Sequence, residues 1–260
     1  MNRLRIPLAA LLLSACASVP YTGRRQMNLM SSGEENQLGE DAYKELLQKA
    51  KISTDREKLD LIRRVGRRVA SAADRPDFRW EFTLIEDDKQ INAFCLPGGK
   101  VAFYTGILPV TQDEDGVAVV MSHEVAHALA RHGAERMSQG KLAEFGGQAL
   151  SVLLAGKSIP AKEVIGEAYG LGVGVGVMLP FSRSHESEAD KIGLILMAKA
   201  GYDPEQSIAF WRRMEEAAEG KGADNPLARF LSTHPSGTRR IDQIREWLPE
   251  IKSQYYKPRP

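Results

Sequence analysis

Apolar residues fall at helical spacing through two early stretches, about Glu34 to Ala50 and about Asp55 to Ala73. In the second, Leu59, Ile62, Val65 and Val69 recur three or four positions apart, one face of a helical period. The period then shortens. Phe78 to Asp87 (FRWEFTLIED) alternates as a strand does. Two short apolar runs, INAFCL and KVAFYTG, are joined by Pro97-Gly98-Gly99, which is a hairpin signal. A small antiparallel β-sheet set between helices predicts an α+β fold, mainly helical.

Helix signals return after the hairpin. Thr111 with Glu114 matches a capping box, and Asp113 and Asp115 add negative charge at the positive end of the dipole. Gly133 stands where a C-terminal glycine stops a helix. Residues 141–180 are apolar and glycine-rich, and read as a packed helix or loop. Membrane contact is the alternative there, although Lys162, Glu163 and Glu167 break the run well short of a span. Within it LGVGVGV has the look of a nucleotide loop but lacks the strand–turn–helix context and the later acidic residue. Ser182 to Gly201 reads as a second long helix. Asp203 and Pro204 serve as N-cap and first residue of another, through about Glu219. A last helix follows LSTHPSG and stops near Pro249. There is no internal repeat.

Composition changes the picture little. With 260 residues, 43% hydrophobic and 27% charged, the chain suits one large globular domain. A formal net charge of +1 gives no electrostatic case for a nucleic-acid partner. The N-terminus says more. MNRLR, the apolar run IPLAALLLSA and then Cys16 have the order of a secretory signal. Leu13-Ser14-Ala15-Cys16 resembles a bacterial lipobox, which implies cleavage before Cys16 and acylation of that residue. On this reading 1–15 is a lipoprotein signal peptide, 16–33 is the lipidated Cys16 with a tether or strap, and 34–260 is the domain. Ala17 in place of Asp implies the outer membrane. The expected location is therefore the periplasm, with a membrane anchor at Cys16. Cys95, inside an apolar run, reads as a small core residue.

The candidate chemistry lies in MSHEVAHALARHG, Met121 to Gly133, which holds three of the five histidines. His123 and His127 are four apart, so on a helix they project from one face and can share one ion. Glu124 lies about 100° round, placed to face a water on that ion rather than to ligate. His132 is about 180° from His123 on a continuous helix and is rejected as a ligand. It reads instead as a hydrogen-bonding group near the helix end. A catalytic zinc needs a third protein ligand from another element.

Ser182 to Asp190 (SRSHESEAD) resembles the second signature of the HtpX, CaaX-prenyl protease and Oma group of zinc endopeptidases, which pair HExxH with a later Glu-xxx-Asp. Pro20 to Gln26 (PYTGRRQ), Asn92 to Gly99 and Ser232 to Pro235 with Arg240 match further stretches of that group, over about residues 20 to 248. The resemblance implies a zincin-type, gluzincin-like domain holding one Zn2+ through His123, His127 and Glu186. It also implies that Asp190 holds the outer N–H of a ligating histidine, and that His234 or Arg240 is the oxyanion donor. His234 has a second possible role as a fourth zinc ligand in a latent enzyme. Glu188, about 200° from Glu186, faces solvent or a different partner. The implied activity is a zinc metalloendopeptidase in which Glu124 assists attack of a zinc-bound water on a peptide carbonyl. Unfolded or extended proteins are the expected substrates, docked on the hairpin edge at Asn92, Ala93 and Phe94, with envelope quality control as the role. The alternative is a lipoprotein chaperone or assembly factor with a latent site.

Overall fold

The computed structural model describes residues 16–140, 182–218, 227, 230, 231, 234 and 238–259. The expected signal peptide at 1–15 and the whole glycine-rich 141–180 segment lie outside the described residues. Strands β1 (Cys16–Ser18) and β2 (Arg25–Met27) form an antiparallel hairpin. Helices α1 (Ser32–Lys49) and α2 (Arg56–Ala73) precede a sheet of β3 (Glu81–Ile85), β4 (Ala93–Leu96) and β5 (Lys100–Tyr104). A 3-10 turn (Thr105–Ile107) and the short α3 (Leu108–Thr111) lead into α4 (Glu114–Leu129). Residues 132–140 are also helical, and α5 (Arg183–Lys199), α6 (Gln206–Ala218) and α7 (Thr238–Tyr255) follow. The fold is α+β and mainly helical. Among the described residues no helix is long and apolar enough to cross a membrane.

The sheet is mixed rather than antiparallel. Its order is β3-β5-β4: β4 and β5 form the expected antiparallel hairpin, but β3 pairs parallel to β5. Alternation along β3 marks a strand without naming its neighbour. Both β5, at the centre, and β4, at the edge, are buried along their whole length. Cys95, Val101 and Phe103 face the main core, while Phe94, Leu96, Ala102 and Tyr104 pack with Tyr43 and Leu46 of α1. Burial on both faces explains why these strands read as unbroken apolar runs.

Helix α4 is the centre of the molecule. It is buried from Gly116 to Leu129 and packs on α5, α2, β4 and α6. Both of its ends differ from expectation. Thr111 closes α3 and donates its hydroxyl to the Leu108 carbonyl, so the Thr111–Glu114 box does not form. The cap is Asp113, whose carboxylate accepts from the Gly116 N–H at 2.8 Å. Glu114 instead pairs with Arg64 and Arg259. At the other end Gly133 is not the stop. The turn is made by Arg131 at φ 55, and Gly133 lies inside the next helical stretch. A left-handed non-glycine residue costs on the order of 1 kcal/mol. Arg131 is held there by its side chain, which donates to Glu35 at 2.6 Å and to the Met30 carbonyl at 2.8 Å.

Helix α5 does end as read. Gly201 at φ 86 donates to the Ala198 carbonyl and Tyr202 N–H to that of Met197, a Schellman closure. Helix α6 begins at Gln206, two residues beyond Pro204, after a turn in which the Asp203 side chain accepts from Glu205 N–H. Helix α7 runs through Pro249 to Tyr255. Leu248 and Ile251, on either side of the proline, are both buried, and that packing offsets the missing N–H.

Candidate metal centre

The centre forms where α5 crosses α4. At the crossing the approach is close: a Cβ on Gly193 would lie 3.3 Å from the backbone N and Cα of His123. Glu186, Asp190 and Gly193 are four and three apart, so they share the face of α5 that meets α4. The missing side chain of Gly193 lets the two carboxylates reach the histidines.

Four donors converge. His123 Nε2 is 3.1 Å from His127 Nε2, 3.2 Å from His234 Nδ1 and 3.3 Å from Glu186 Oε2. Glu186 Oε1 is 3.3 Å from both His127 Nε2 and His234 Nδ1. Donors about 2.0–2.1 Å from one tetrahedral ion stand about 3.3–3.4 Å apart. The measured spacings fit a zinc ion with two or three imidazoles and one carboxylate. Neither oxygen of Glu186 is hydrogen bonded, although the residue is buried. A buried carboxylate facing three imidazole nitrogens is completed by a cation. His132 lies outside this group.

The charges are set by burial and by neighbours. Burial works against ionisation of Glu186, yet His234, His123 and His127 outweigh it and hold its carboxyl well below the usual range. For Glu124 burial wins over His234 and His123, and its carboxyl is pushed up. His123 loses basicity to burial but gains more from Asp190 and Glu186, reaching about 9. His127 is pushed well down, mainly by burial, against the pull of Glu186. Glu124 Oε1 stands 3.7 Å from His234 Nε2 and has no hydrogen-bond partner.

A ring of supporting groups surrounds the donors. Asp190 Oδ1 is 3.0 Å from His123 Nδ1, the nitrogen facing away from the cluster. Arg240 lies beside Asp190. Its Nε and Nη2 donate to the two Asp190 oxygens, each at 2.6 Å, and its guanidinium carbon stacks 3.4 Å from the centre of the Trp211 ring. Of the two candidate donors, His234 offers a ligand atom to the cluster, while Arg240 Nη2 reaches to 3.5 Å from Glu186 Oε2. Glu188 takes a protein partner rather than solvent: it is 3.0 Å from His132 Nε2. His132 Nδ1 in turn is 2.9 Å from His127 Nδ1.

Local spacing does not foresee these supports. Trp211 is legible in the sequence only as an apolar residue of α6. A helix continuous through Gly133 would set His132 behind the site, and the turn at Arg131 re-aims it toward His127. Arg24 belongs to PYTGRRQ, which the resemblance marks without giving it a role.

At the hairpin, the Tyr104 N–H bonds to the Asn92 carbonyl. By antiparallel alternation Asn92 and Phe94 then turn their backbone groups to β5, while Ala93 and Cys95 turn theirs to the outer edge. Of the three expected edge residues, Ala93 is the one so placed. Its N–H is met by the Asn92 side-chain oxygen at 2.9 Å. Cys95 is a buried free thiol, raised by burial and then by the Glu124 charge.

Residues 57–248 match the model of peptidase family M48. The mitochondrial metalloendopeptidase OMA1 of Schizosaccharomyces pombe is 40% identical over 237 residues, 90% of this chain and 67% of its own length. That of Saccharomyces cerevisiae is 38% identical over 181 residues, 68% of this chain and 49% of its own. The beta-barrel assembly-enhancing protease of Escherichia coli K12 is 27% identical over 251 residues, 92% of this chain and 50% of its own. The chain thus spans about two thirds of the first of these relatives and half of the others. These relatives correct the expected location. Matches at 34–40% identity carry mitochondrial names, and the bacterial one is more distant, so the expected periplasmic, outer-membrane location does not stand. The match covers most of the chain and contains both the His-Glu-x-x-His and the Glu-xxx-Asp residues, and the chain belongs to peptidase family M48, the zinc metalloendopeptidases.

Proposed function

We propose that this chain hydrolyses peptide bonds within unfolded or extended segments of other proteins, in a quality-control role, using His123, His127 and Glu186 to hold zinc. Bound zinc supplies Lewis-acid polarisation and lowers the pKa of a water. The protein's own part is to place a base and a substrate. The observation that carries the reading is Glu124. It sits one residue from a donor histidine, is buried, and keeps an unbonded carboxylate oxygen beside the four-donor cluster. Glu124 takes a proton from the attacking water and delivers it to the leaving nitrogen. The outer edge of β4 offers backbone groups at Ala93 and Cys95, which suits an extended peptide whatever its side chains. His234, with Nε2 near Glu124, is the donor for the developing oxyanion once it leaves the cluster.

One observation favours a second, latent state of the same enzyme. His234 Nδ1 occupies the fourth donor place, and a site closed by four protein ligands leaves no room for a reacting water. A latent peptidase acting chiefly as a binding factor follows if His234 stays there.

The test is digestion of casein by the zinc-loaded chain and by Glu124→Gln with matched metal content. The parent cleaves, and the variant is slower by roughly 100-fold or more. Equal cleavage by both removes Glu124 from the mechanism. If the zinc-loaded parent is inert, His234→Ala tests latency: cleavage by the variant, slowed by the lost oxyanion donor, identifies a latent peptidase, and silence of both favours the binding factor.

A further inference from the structure

The two donor histidines of α4 are both backed by a carboxylate of α5 and an arginine. For His123 the series is Asp190 and then Arg240 of α7. For His127 it is longer and ends at the opposite end of the chain. His127 Nδ1 is 2.9 Å from His132 Nδ1, His132 Nε2 is 3.0 Å from Glu188 Oε2, and the same Oε2 accepts from Arg24 Nε at 2.7 Å. Thr22, in the turn of the same hairpin, donates its hydroxyl to Glu188 Oε1 at 2.5 Å. The other nitrogens of Arg24 bind Glu135, at 3.0 and 2.7 Å. His132 and Glu188 are buried, and His132 is 0% exposed.

We propose that Arg24, in the N-terminal hairpin, is a positioning residue for the metal centre and acts through Glu188 and His132 on His127. Two imidazole nitrogens 2.9 Å apart need one proton between them. If Nε2 of His127 faces a cation, its Nδ1 carries the hydrogen and His132 Nδ1 accepts it. His132 then carries its own hydrogen on Nε2 and donates to Glu188. The far end fixes this direction, because guanidinium only donates and an ionised carboxylate only accepts. Arg24 and Thr22 keep Glu188 turned toward His132, so the N-terminal hairpin selects the ring orientation and tautomer with which His127 meets the metal. Outer groups of this kind change metal affinity by about 10–100-fold. The hairpin and the strap after it are firmly seated on the domain. Val19 is buried in the core, Leu29 N–H bonds to Ser138, and Lys199 donates to the Tyr21 hydroxyl.

The inference rests on the metal-centre reading, and the experiment separates the two. Zinc affinity of the metal-free chain is measured by competition with a chromophoric chelator for the parent, Arg24→Ala, Arg24→Lys, Glu188→Gln, the Arg24→Ala/Glu188→Gln double variant and Tyr21→Phe. The parent binds one zinc per chain. Arg24→Ala and Glu188→Gln each bind roughly tenfold more weakly, and the double variant is no weaker than the worse single one, because both break one series. Arg24→Lys, which keeps the charge and loses the fork, falls between parent and Ala and serves if Ala does not fold. Tyr21→Phe, which loosens the strap elsewhere, binds as the parent does. In the zinc-loaded parent, imidazole nitrogen NMR places hydrogens on Nδ1 of His127 and Nε2 of His132. A parent that binds no zinc overturns the metal-centre reading. A parent that binds, with Arg24→Ala and Arg24→Lys unchanged, the two single effects additive, or the opposite tautomers, overturns the role of Arg24 alone.

Discussion

Glu124 and Glu186 show how one residue type takes two characters in one site. Both are buried, but Glu186 faces three imidazole nitrogens and its carboxyl is held low, whereas Glu124 has no hydrogen bond at Oε1 and its carboxyl is pushed up by burial. The first suits a ligand and the second a base. Glu186→Gln keeps the shape and removes the charge. Zinc affinity is expected to fall by at least about 100-fold in chelator competition, since a neutral amide neither neutralises the ion nor answers three imidazoles. At this scale the sequence was informative where a helix sets the geometry. His123, Glu124 and His127 stand in a fixed relation on any helix, and Glu186 with Asp190 repeats that relation on another. It was uninformative about Arg24, which is near the centre only because the N-terminal hairpin folds back over 100 residues of chain.

The decisive element contact is α4 against α5. Gly193→Ala adds a methyl 3.3 Å from the His123 backbone, tighter than most such contacts, so the helices must separate by a few tenths of an ångström. The expected result is a loss of about 1–3 kcal/mol in denaturant unfolding with an unchanged m-value. A weaker zinc site follows, because Glu186 and Asp190 withdraw with α5. The start of α4 carries a pH signature. Burial raises the Glu114 carboxyl, but hydrogen bonds from Arg64 and Tyr202 and the charges of Arg64 and Arg259 outweigh it and leave it below 4.5. A depressed folded value means that the stabilisation is complete above 4.5 and is lost as pH falls through the lower folded value. Glu114→Gln should therefore lower stability near neutrality and flatten its acid limb in unfolding curves taken from pH 6 downward. The sequence assigned Glu114 to a capping box instead. The box failed because Asp113, two residues closer to the helix than Thr111, caps it with its own carboxylate.

For the whole molecule, the centre joins α4, α5 and the segment bearing His234, which is distant in sequence from both. An ion bound only by the folded chain stabilises it by about 4 kcal/mol at a thousand times Kd. For a domain of this size that raises Tm by roughly 10 °C, so EDTA should lower the calorimetric midpoint of the parent by about that amount. Glu186→Gln should melt near the EDTA-treated parent with or without added zinc. An EDTA-insensitive parent contradicts a linking ion. The sequence by itself determined the elements and the chemistry carried on them: the helical and strand periods, the glycine end of α5, the paired histidines and the Glu-xxx-Asp. These depend on residues three or four apart, whose relation a helix imposes before any tertiary contact forms. Only the tertiary structure decided the rest. It placed β5 rather than β4 beside β3, carried α7 through Pro249, and put Arg240 beside Asp190. It also broke the motif helix at Arg131, so that His132 supports His127 instead of facing away. Each of these outcomes depends on packing partners far along the chain. Local spacing does not encode them: Arg131 turns because Glu35 and the Met30 carbonyl hold it, and the proline is tolerated because Leu248 and Ile251 are buried on either side.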